Sequence, residues 1–351
     1  MTTKVAFLFP GQGSQTIGMG ADVFAASSAA KQVFEAVDEA IGTSLSSLCF
    51  QGPEETLRET INAQPAIVTV SLAILAAFQE ALSLSAIHTP SWSLPLAPSY
   101  TAGHSVGEYS ALVASGALDL KQAALLVRER GRLMHHEGTV CPGGMVAVIG
   151  MDEEKLQAVC QEATQQTLQE LANEHSKSTT THSGLGHVAI ANYNAPGQIV
   201  ISGEQKALAL ASELAKARGA KRVIPLAVSG AFHSPVMQPA AQGLAVAVDG
   251  AGVHDTTIPV IGNIEGTPLI KAQDIRQELT QQIASSVQWV RTIEYMTNAG
   301  VSIFIEIGPG QTLTGMIKRI AKGVTTLTIA NIAELEKAVS LVREMGLVHS
   351  V

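Results

Sequence analysis

The segment Gly103-His104-Ser105-Val106-Gly107 constrains the fold of this 351-residue chain more than any other stretch. It matches G-x-S-x-G, a pattern in which a strand ends, the backbone turns sharply and a helix begins. Glycines flank the serine because the turn brings backbone and neighbouring elements too close for a Cβ atom. The turn lifts the Ser105 hydroxyl to the N-terminus of a helix, where backbone N–H groups favour a developing negative charge. A serine that merely caps the helix between two convenient glycines is the plainer alternative.

Apolar strands and helices alternate on both sides of this turn. The N-terminal segment "KVAFLFPG" predicts a buried parallel strand, because it is continuously apolar until a Pro-Gly stop. Helices are predicted at 21–42, 53–61 and 65–85, with one long helix from Glu108 through Met134. Further strands are predicted towards the C-terminus at "TTIPVIGNI", "SIFIEIG" and "TTLTIANI". This alternation is typical of an α/β fold.

The middle of the chain has a different order of elements. The strand "GMVAVIG" and a helix over 152–174 are followed by two strands in "HVAIANYNAPGQIVISG", a helix over 204–218 and the strand "KRVIPLAV". The order βαββαβ is that of a ferredoxin-like module. Its polar insert, "SKSTTTHSG", predicts a loop. The sequence therefore predicts a small module inserted into a larger α/β body.

Composition and charge narrow the class of protein. Hydrophobic residues make up 46% of the chain and charged residues 15%, which predicts a folded chain with a large buried core. The net charge of −8 disfavours a nucleic-acid-binding face. Cys49, Cys141 and Cys160 have neither the count nor the spacing of a disulfide or zinc framework, so we expect no metal site and a reducing cytoplasm. The first apolar run is too short for a signal peptide or a membrane span.

A serine nucleophile needs a base, and ten histidines compete for that role. His104 lies inside the turn itself, and most of the others fall in loops, at helix ends or around the polar insert. His233 differs because "AVSGAFHSPVM" places it directly after a buried strand, where α/β folds position catalytic groups. A histidine that fills the core is the alternative. No acidic residue stands out as a third member, which points to a neutral orienting partner.

The first loop, "FPGQGSQ", lies at the end of the first strand. It is not a nucleotide loop, because Thr16 stands where G-x-G-x-x-G requires a third glycine and no Gly-Lys-Ser/Thr follows. The backbone N–H groups of Gln12 and Val106 could instead form an oxyanion hole for a tetrahedral intermediate. A plain tight turn is the alternative.

Three arginines alternate in "LLVRERGRLMHH", and only one of them faces inward. At about 100° per residue, Arg130 falls on the apolar stripe with Leu126 and Leu133, whereas Arg128 and Arg132 fall off it. An inward arginine needs a carboxylate partner, because an unpaired buried charge is too costly. That partner is either an Asp or Glu of this chain or a substrate carboxylate held by two hydrogen bonds.

Taken together, these segments resemble the malonyl-CoA:acyl carrier protein transacylase family, including freestanding acyltransferases of polyketide synthases. The matching motifs occur in the family's order and cover nearly the whole chain. They are "FPGQGSQ" at 9–15, "GHSVGEYSAL" at 103–112, "RERG" at 128–131, "NAPGQIVISG" at 194–203, "GAFHSP" at 230–235, "SVQW" at 286–289 and "EIGPGQTLTGMIKRI" at 306–320. The resemblance implies an α/β-hydrolase-like parallel-sheet body, residues 1–137 and 229–351, with an inserted ferredoxin-like (βαββαβ) subdomain, residues 138–228.

The resemblance also implies catalytic roles for individual residues. Ser105 would be the acylated nucleophile of a ping-pong reaction, and His233 its general base. Gln282 would orient His233 through a backbone carbonyl, which accounts for the absence of a third acid. Gln12 and Val106 would supply the oxyanion hole.

Substrate contacts follow from the same resemblance. Arg130 would hold the free carboxylate of malonyl, and His104 is a further expected contact, with Asn192 or Asn194 near the cleft. Phe232 precedes the proposed base. In related polyketide domains, phenylalanine at this position goes with malonyl and a smaller side chain with methylmalonyl, because the ring fills the space that an α-methyl branch needs.

The implied substrates are malonyl-CoA and the phosphopantetheine thiol of an acyl carrier protein, with no bound cofactor, in fatty-acid or polyketide synthesis. We expect a cytoplasmic monomer without nucleic-acid or membrane partners. Carrier proteins are acidic, as this chain is, so docking requires a local basic surface. The two candidate surfaces are Lys318, Arg319 and Lys322, and Lys216, Arg218, Lys221 and Arg222.

Two rival hypotheses remain at this stage. One is an acyl hydrolase that clears stalled acyl groups from carrier proteins, and the inward Arg130 argues against it. The other is a non-catalytic docking module, against which the intact set of candidate site residues argues. Two departures from the family pattern are the loops at 88–99 and 176–186, which look longer, and "GAFH", where malonyl-selective polyketide domains often carry histidine instead of glycine.

Overall fold

The computed structural model describes residues 3–83, 96–175 and 186–348, without the side chains of residues 174 and 175. Residues 176–185 of the predicted insert at 176–186, and most of the predicted loop at 88–99, lie outside these residues. The strands are β1 (Lys4–Phe9), β2 (Tyr100–Gly103), β3 (Gly143–Ile149), β4 (Val188–Ala195), β5 (Gln198–Glu204), β6 (Arg222–Pro225), β7 (Val260–Ile261), β8 (Pro268–Leu269), β9 (Val301–Ile307) and β10 (Thr325–Ile329).

Helices connect most of these strands. They are α1 (Ala21–Ala26), α2 (Ser28–Ile41), α3 (Leu45–Gln51), α4 (Glu54–Arg58), α5 (Thr60–Leu82), α6 (Gly107–Ala114), α7 (Leu120–Val140), α8 (Glu153–His175), α9 (Gln205–Ala217), α10 (Gln238–Asp249), α11 (Ala272–Gln281), α12 (Trp289–Asn298), α13 (Thr312–Ile320) and α14 (Ile332–Glu344). The alternation of strands and helices makes the protein an α/β fold, as the sequence predicts.

A six-stranded sheet in the order β10-β9-β1-β2-β7-β8 forms the larger part of the structure. Its pairs are parallel except for β7 and β8. Phe7 and Phe9 of β1 belong to the core on one face, and Ala6 and Leu8 to the core on the other. Burial on both faces explains why the strand is continuously apolar. The register pairs Phe9 with Gly103, so the loops that follow β1 and β2 leave the sheet side by side.

A second, antiparallel sheet in the order β4-β5-β3-β6 has its own core. Apolar residues of α8 and α9 pack on it. The elements follow one another as β3-α8-β4-β5-α9-β6, the βαββαβ order read from the sequence. The division into a body of residues 1–137 and 229–351 and a subdomain of residues 138–228 stays a prediction.

The helix boundaries differ from the sequence prediction in several places. The predicted helix from Glu108 to Met134 is two helices, α6 and α7, because α7 starts afresh where the Asp119 side chain accepts a hydrogen bond from the Gln122 N–H at 2.8 Å. The predicted helix at 21–42 is likewise divided, since the Ser27 side chain caps α2. The helix expected at 65–85 begins earlier, at Thr60, and therefore contains Pro65 in its second turn. Helix α3 was not predicted.

One helix passes a length and composition test for a membrane span. Thr60–Leu82 is apolar, with a mean hydropathy of 1.7 over its best window. However, 89% of that window is buried inside the protein, where α5 packs against α2 and α7. The fold already covers the apolar surface of this helix.

Candidate active site

The serine turn has the geometry that the G-x-S-x-G pattern requires. Strand β2 ends at Gly103, helix α6 begins at Gly107, and Ser105 between them has φ 53°, in the left-handed region. A Cβ atom on Gly103 would lie 1.9 Å from the Gly107 carbonyl carbon, and one on Gly107 would lie 2.2 Å from the Phe9 oxygen. Both clashes are with backbone, so neither glycine can be replaced without moving the turn.

His233 lies against the Ser105 hydroxyl, with 2.7 Å between His233 Nε2 and Ser105 Oγ. Its other ring nitrogen, Nδ1, lies 3.0 Å from the Gln282 carbonyl oxygen and 3.1 Å from that of Ser285. Carbonyl oxygens only accept hydrogen bonds, so the proton of the neutral ring sits on Nδ1 and leaves Nε2 to accept the serine proton. His233 also has a positive φ, 57°, which is held by its N–H bond to the Ile283 oxygen at 2.9 Å.

The environment of His233 keeps its ring neutral. Burial, together with the nearby Arg130 cation, lowers the pKa of His233 to about 3. A base must be unprotonated to accept a proton, and kcat/KM reports its state in the free enzyme.

We therefore expect kcat/KM for acylation of the serine to stay level as the pH falls from about 7 to about 5, with a loss only at lower pH. A histidine with the ordinary pKa of about 6.5 would instead lose about tenfold per pH unit below that value. Rapid-quench acylation across this pH range is the measurement. A tenfold loss per unit that sets in near pH 6.5 would contradict the buried neutral base.

Arg130 reaches the serine from α7 and is 1% exposed. Its Nη1 donates to Gln64 Oε1 at 2.5 Å, and its Nη2 donates to Ser105 Oγ at 3.1 Å and to Gln282 Oε1 at 2.9 Å. Nε has no partner. Among residues 3–83, 96–175 and 186–348, no carboxylate lies within 4.0 Å of the guanidinium. Of the two partners left open by the sequence, a carboxylate of this chain is therefore not in contact.

The proposed oxyanion donors lie on adjacent loops. Gln12 follows β1, and Val106 follows the serine at the start of α6. The loops touch closely, since a Cβ on Gly11 would lie 2.5 Å from the His104 carbonyl oxygen. Within the described chain, the backbone N–H groups of Gln12 and Val106 make no hydrogen bond. Two unused N–H donors beside a nucleophile can bind a developing oxyanion.

A cavity of about 250 Å³ opens onto Ser105 and His233. Elements of both sheets contribute to its wall: Asn192 and Asn194 come from β4, and further lining residues come from the loops after β1 and β2. His104 Nε2 lies 2.8 Å from Asn194 Oδ1, and burial lowers the pKa of His104.

Phe232 also lines this cavity and is 4% exposed. All eight predicted site residues are thus accounted for. Ser105, His233, Arg130 and Gln282 are joined by hydrogen bonds, Gln12, His104 and Phe232 line the cavity, and Val106 lies next to the nucleophile.

Sequence reasoning missed two polar residues around the nucleophile: Gln64 binds Arg130, and Asn263 accepts the Ser105 N–H at 2.7 Å. It also missed a side-chain contact of Gln282, a predicted site residue, whose amide donates to the Ser105 carbonyl oxygen at 3.1 Å. The only sequence signal for Asn263 is its place at the end of the strand "PVIGN", because parallel strands end at one edge of a sheet. Among the described residues, no group of three or more His, Cys, Asp or Glu side chains could hold a metal ion.

The chain is similar to known proteins along nearly its whole length. A family model described as an acyl transferase domain matches residues 6–184 and 164–345. The malonyl CoA-acyl carrier protein transacylase of Bacillus subtilis (strain 168) is 42% identical over 342 residues, 97% of this chain and 98% of that protein. The protein of the same name from Escherichia coli (strain K12) is 37% identical over 95% of this chain and 96% of its own.

Solved structures agree with these sequence matches. The acyl-carrier-protein-S-malonyltransferase from Bartonella henselae is 39% identical, with a TM-score of 0.85 over 98% of this chain and 100% of that one. A malonyl-transacylase solved in complex with its type II PKS acyl-carrier protein is 38% identical. Its TM-score is 0.84, over 97% of this chain and 100% of that one.

Proposed function

This chain belongs to the malonyl CoA-acyl carrier protein transacylases, and from that premise we propose how its residues perform the transfer. The protein moves a malonyl group from malonyl-CoA to an acyl carrier protein, and is therefore an acyltransferase. The observation that carries the proposal is the position of Ser105 Oγ between His233 Nε2 at 2.7 Å and Arg130 Nη2 at 3.1 Å. A hydroxyl between a neutral base and a guanidinium suits attack on an acyl group that bears a carboxylate.

The first half-reaction acylates the serine. Ser105 Oγ attacks the thioester carbonyl carbon of malonyl-CoA while its proton passes to His233 Nε2. The backbone N–H groups of Gln12 and Val106 hold the tetrahedral oxyanion. The carbon–sulfur bond then breaks, and the leaving thiolate takes the proton from His233.

The second half-reaction reverses these steps with a different thiol. His233 takes the proton of the phosphopantetheine thiol as its sulfur attacks the malonyl ester on Ser105. The oxyanion forms in the same hole, the ester bond breaks, and the proton returns to Ser105 Oγ. The Gln282 carbonyl holds the Nδ1 proton of His233 throughout, so Nε2 faces the reacting atoms in both halves.

Arg130 supplies the preference for malonyl over simple acyl groups. Its charge is buried with amide and hydroxyl partners only, and its Nε is unused. A malonyl carboxylate would give the guanidinium the ion-pair partner it lacks, with two parallel hydrogen bonds. An acyl hydrolase for neutral chains has no use for this buried cation, so the hydrolase hypothesis is not favoured.

Finer features of the protein belong to the proposal as well. We infer an α/β-hydrolase-like body with a ferredoxin-like insertion, and a cytoplasmic monomer that acts without a bound cofactor.

For carrier-protein docking we favour the surface formed by Lys318, Arg319 and Lys322, because helix α13, which carries the first two, lines the cavity. On the other candidate surface, Lys216 and Arg218 already pair with Glu213 and Glu162.

Mass spectrometry of the intact protein tests the proposed function. Malonyl-CoA alone, without carrier protein, should leave one malonyl ester on Ser105, since a ping-pong reaction requires it. Addition of phosphopantetheinylated carrier protein should remove the ester, and Ser105→Ala should carry none. A label on another residue, or none on the parent protein, would contradict the mechanism.

Phe232→Ser should change the choice of acyl group. With the carboxylate on Arg130 and the carbonyl in the oxyanion hole, the α-carbon cannot move away from the Phe232 ring. A pocket that discriminates by one methyl group gains about 1–3 kcal/mol, so the methylmalonyl-to-malonyl ratio of kcat/KM should rise at least several-fold. Competition of the two CoA esters for Ser105, read by mass, is the measurement. An unchanged ratio in a folded variant would mean that selectivity lies elsewhere in the cleft.

A further inference from the structure

Asn263 is a buried amide beside the nucleophile with every polar atom in use. It is 1% exposed and follows β7, the neighbour of β2 in the sheet. Its Oδ1 accepts the Ser105 N–H at 2.7 Å, and its Nδ2 donates to the Gly103 oxygen at 2.7 Å and to Glu108 Oε2. Its backbone N–H donates to Glu108 Oε2 at 3.0 Å, and its backbone carbonyl oxygen accepts the Gln288 N–H at 2.7 Å.

These contacts span the whole serine turn. Gly103 ends β2, Ser105 is the turn itself, and Glu108 belongs to the first turn of α6. Ser105 has φ 53°, a left-handed conformation that is sterically unfavourable for a residue with a Cβ. One side chain therefore ties together the three segments whose relative position sets that conformation.

The contacts also decide which backbone donors remain available. The N–H of Ser105 is directed at Asn263 Oδ1, whereas the N–H groups of Val106 and Gln12 have no partner among the described residues. If Ser105 lost its acceptor, the turn could rotate to satisfy this N–H in another way. That rotation would move Oγ away from His233 and the Val106 N–H away from the oxyanion.

We propose that Asn263 is a positioning residue for acylation, which holds the Ser105 backbone in its left-handed conformation and leaves the Val106 N–H free for the oxyanion. The inference rests on the proposed role of Ser105 as nucleophile. Ser105, Gly103 and Glu108 engage both polar atoms of the Asn263 side chain, so it acts through Ser105 and not on the substrate.

The test compares the parent protein with Asn263→Ala, Asn263→Asp and the control Ile261→Ala. Ile261 is a fully buried core residue on β7, two positions earlier, with no hydrogen bond from its side chain. The buried carboxyls of Glu108 and Glu278 have raised pKa values, and an aspartate beside them would be held in its neutral form. A neutral aspartic acid has one acceptor oxygen and one O–H donor, so it can accept the Ser105 N–H and replace one of the two hydrogen bonds that the Asn263 amide donates.

Two rates and the thermal midpoint are measured for each protein. The first rate is single-turnover acylation by malonyl-CoA, resolved into a maximal rate and a KM. The second is phosphonylation of Ser105 by a small phosphonofluoridate, in which an Oγ–P bond forms, fluoride leaves and His233 takes the proton. This reagent has no carboxylate and does not depend on malonyl binding.

For Asn263→Ala we expect both maximal rates to fall about 10- to 100-fold with KM within about twofold, because small displacements of a reacting atom cost rates of this order. Asn263→Asp should recover part of the loss, and folded Ile261→Ala should react like the parent despite a lower thermal midpoint. Parental rates in folded Asn263→Ala, or a loss confined to KM, would overturn the inference. So would failure of both Asn263 variants to fold while Ile261→Ala folds. A parent protein that carries no label on Ser105 would instead contradict the proposed function.

Discussion

Replacement of His233 should slow the acylation of Ser105 by roughly 10²–10⁴-fold, the contribution expected of a positioned general base. The loss should affect both half-reactions, because in the proposed mechanism the same Nε2 receives the proton of the serine and later that of the carrier-protein thiol. Single-turnover labelling by malonyl-CoA, followed by chase with carrier protein, measures the two halves separately. A variant that acylates at the parental rate would show that another group is the base.

The choice of replacement matters because His233 has φ 57°. Asparagine adopts the left-handed region more readily than other residues with a Cβ, whereas alanine is strained there. His233→Asn therefore removes the base with the smaller disturbance of the backbone, and His233→Ala adds that disturbance. If chemistry accounts for the loss, the two variants should have similar rates but different thermal midpoints.

Replacement of Arg130 by alanine should cost malonyl transfer about 2–5 kcal/mol, the range for removal of one partner from a buried charged pair. In kcat/KM this is roughly 30- to several-thousand-fold. The acetyl group of acetyl-CoA has no carboxylate and so makes no ion pair with Arg130. Acetyl transfer should therefore fall much less, and the ratio of malonyl to acetyl transfer should decrease or invert. The measurement is kcat/KM for both CoA esters with each variant.

Arg128→Ala is the matched control for this experiment. Arg128 lies two residues earlier on α7, where its Nη1 donates to Asn62 Oδ1 at 2.7 Å and to the Ile61 oxygen at 2.9 Å, away from Ser105. Its removal should leave the ratio of malonyl to acetyl transfer unchanged. Equal losses for the two acyl groups in Arg130→Ala would identify Arg130 as a structural residue that only supports Gln64 and Gln282.

Local patterns in the sequence were sufficient for the turn at Ser105 and for the described strands other than the two-residue β8. Strand β1 is buried on both faces and ends at Phe9, directly before Pro10, so its apolar run and its stop are both visible in the sequence. The break between α6 and α7 was missed although two local signals mark it: Gly116 follows α6 with φ 77°, and the Asp119 side chain caps α7.

The contacts around the nucleophile were harder to predict for a different reason. Asn263 is 158 residues from Ser105 in the chain, and the strand that carries it has two residues. Its partners are fixed by strand order in the sheet, which no local pattern encodes. The motif at 103–107 identifies Ser105 as reactive, but the polar side chains that contact it come from four other segments, at Arg130, His233, Asn263 and Gln282, and are brought together only by the fold.

The left-handed backbone of Ser105 and His233 limits which residue types can occupy these two positions. Among the residues that the structure describes, these are the two non-glycine residues with positive φ, and they are hydrogen-bonded to each other. Glycine at either position would relieve the backbone strain but remove the proposed nucleophile or base, so we expect such a variant to be inactive without being less stable. Threonine, which also carries a hydroxyl, is a poor substitute for Ser105, because β-branched side chains are strongly disfavoured at positive φ. The backbone conformation at this position, and not the chemistry of the hydroxyl group, therefore disfavours a threonine nucleophile.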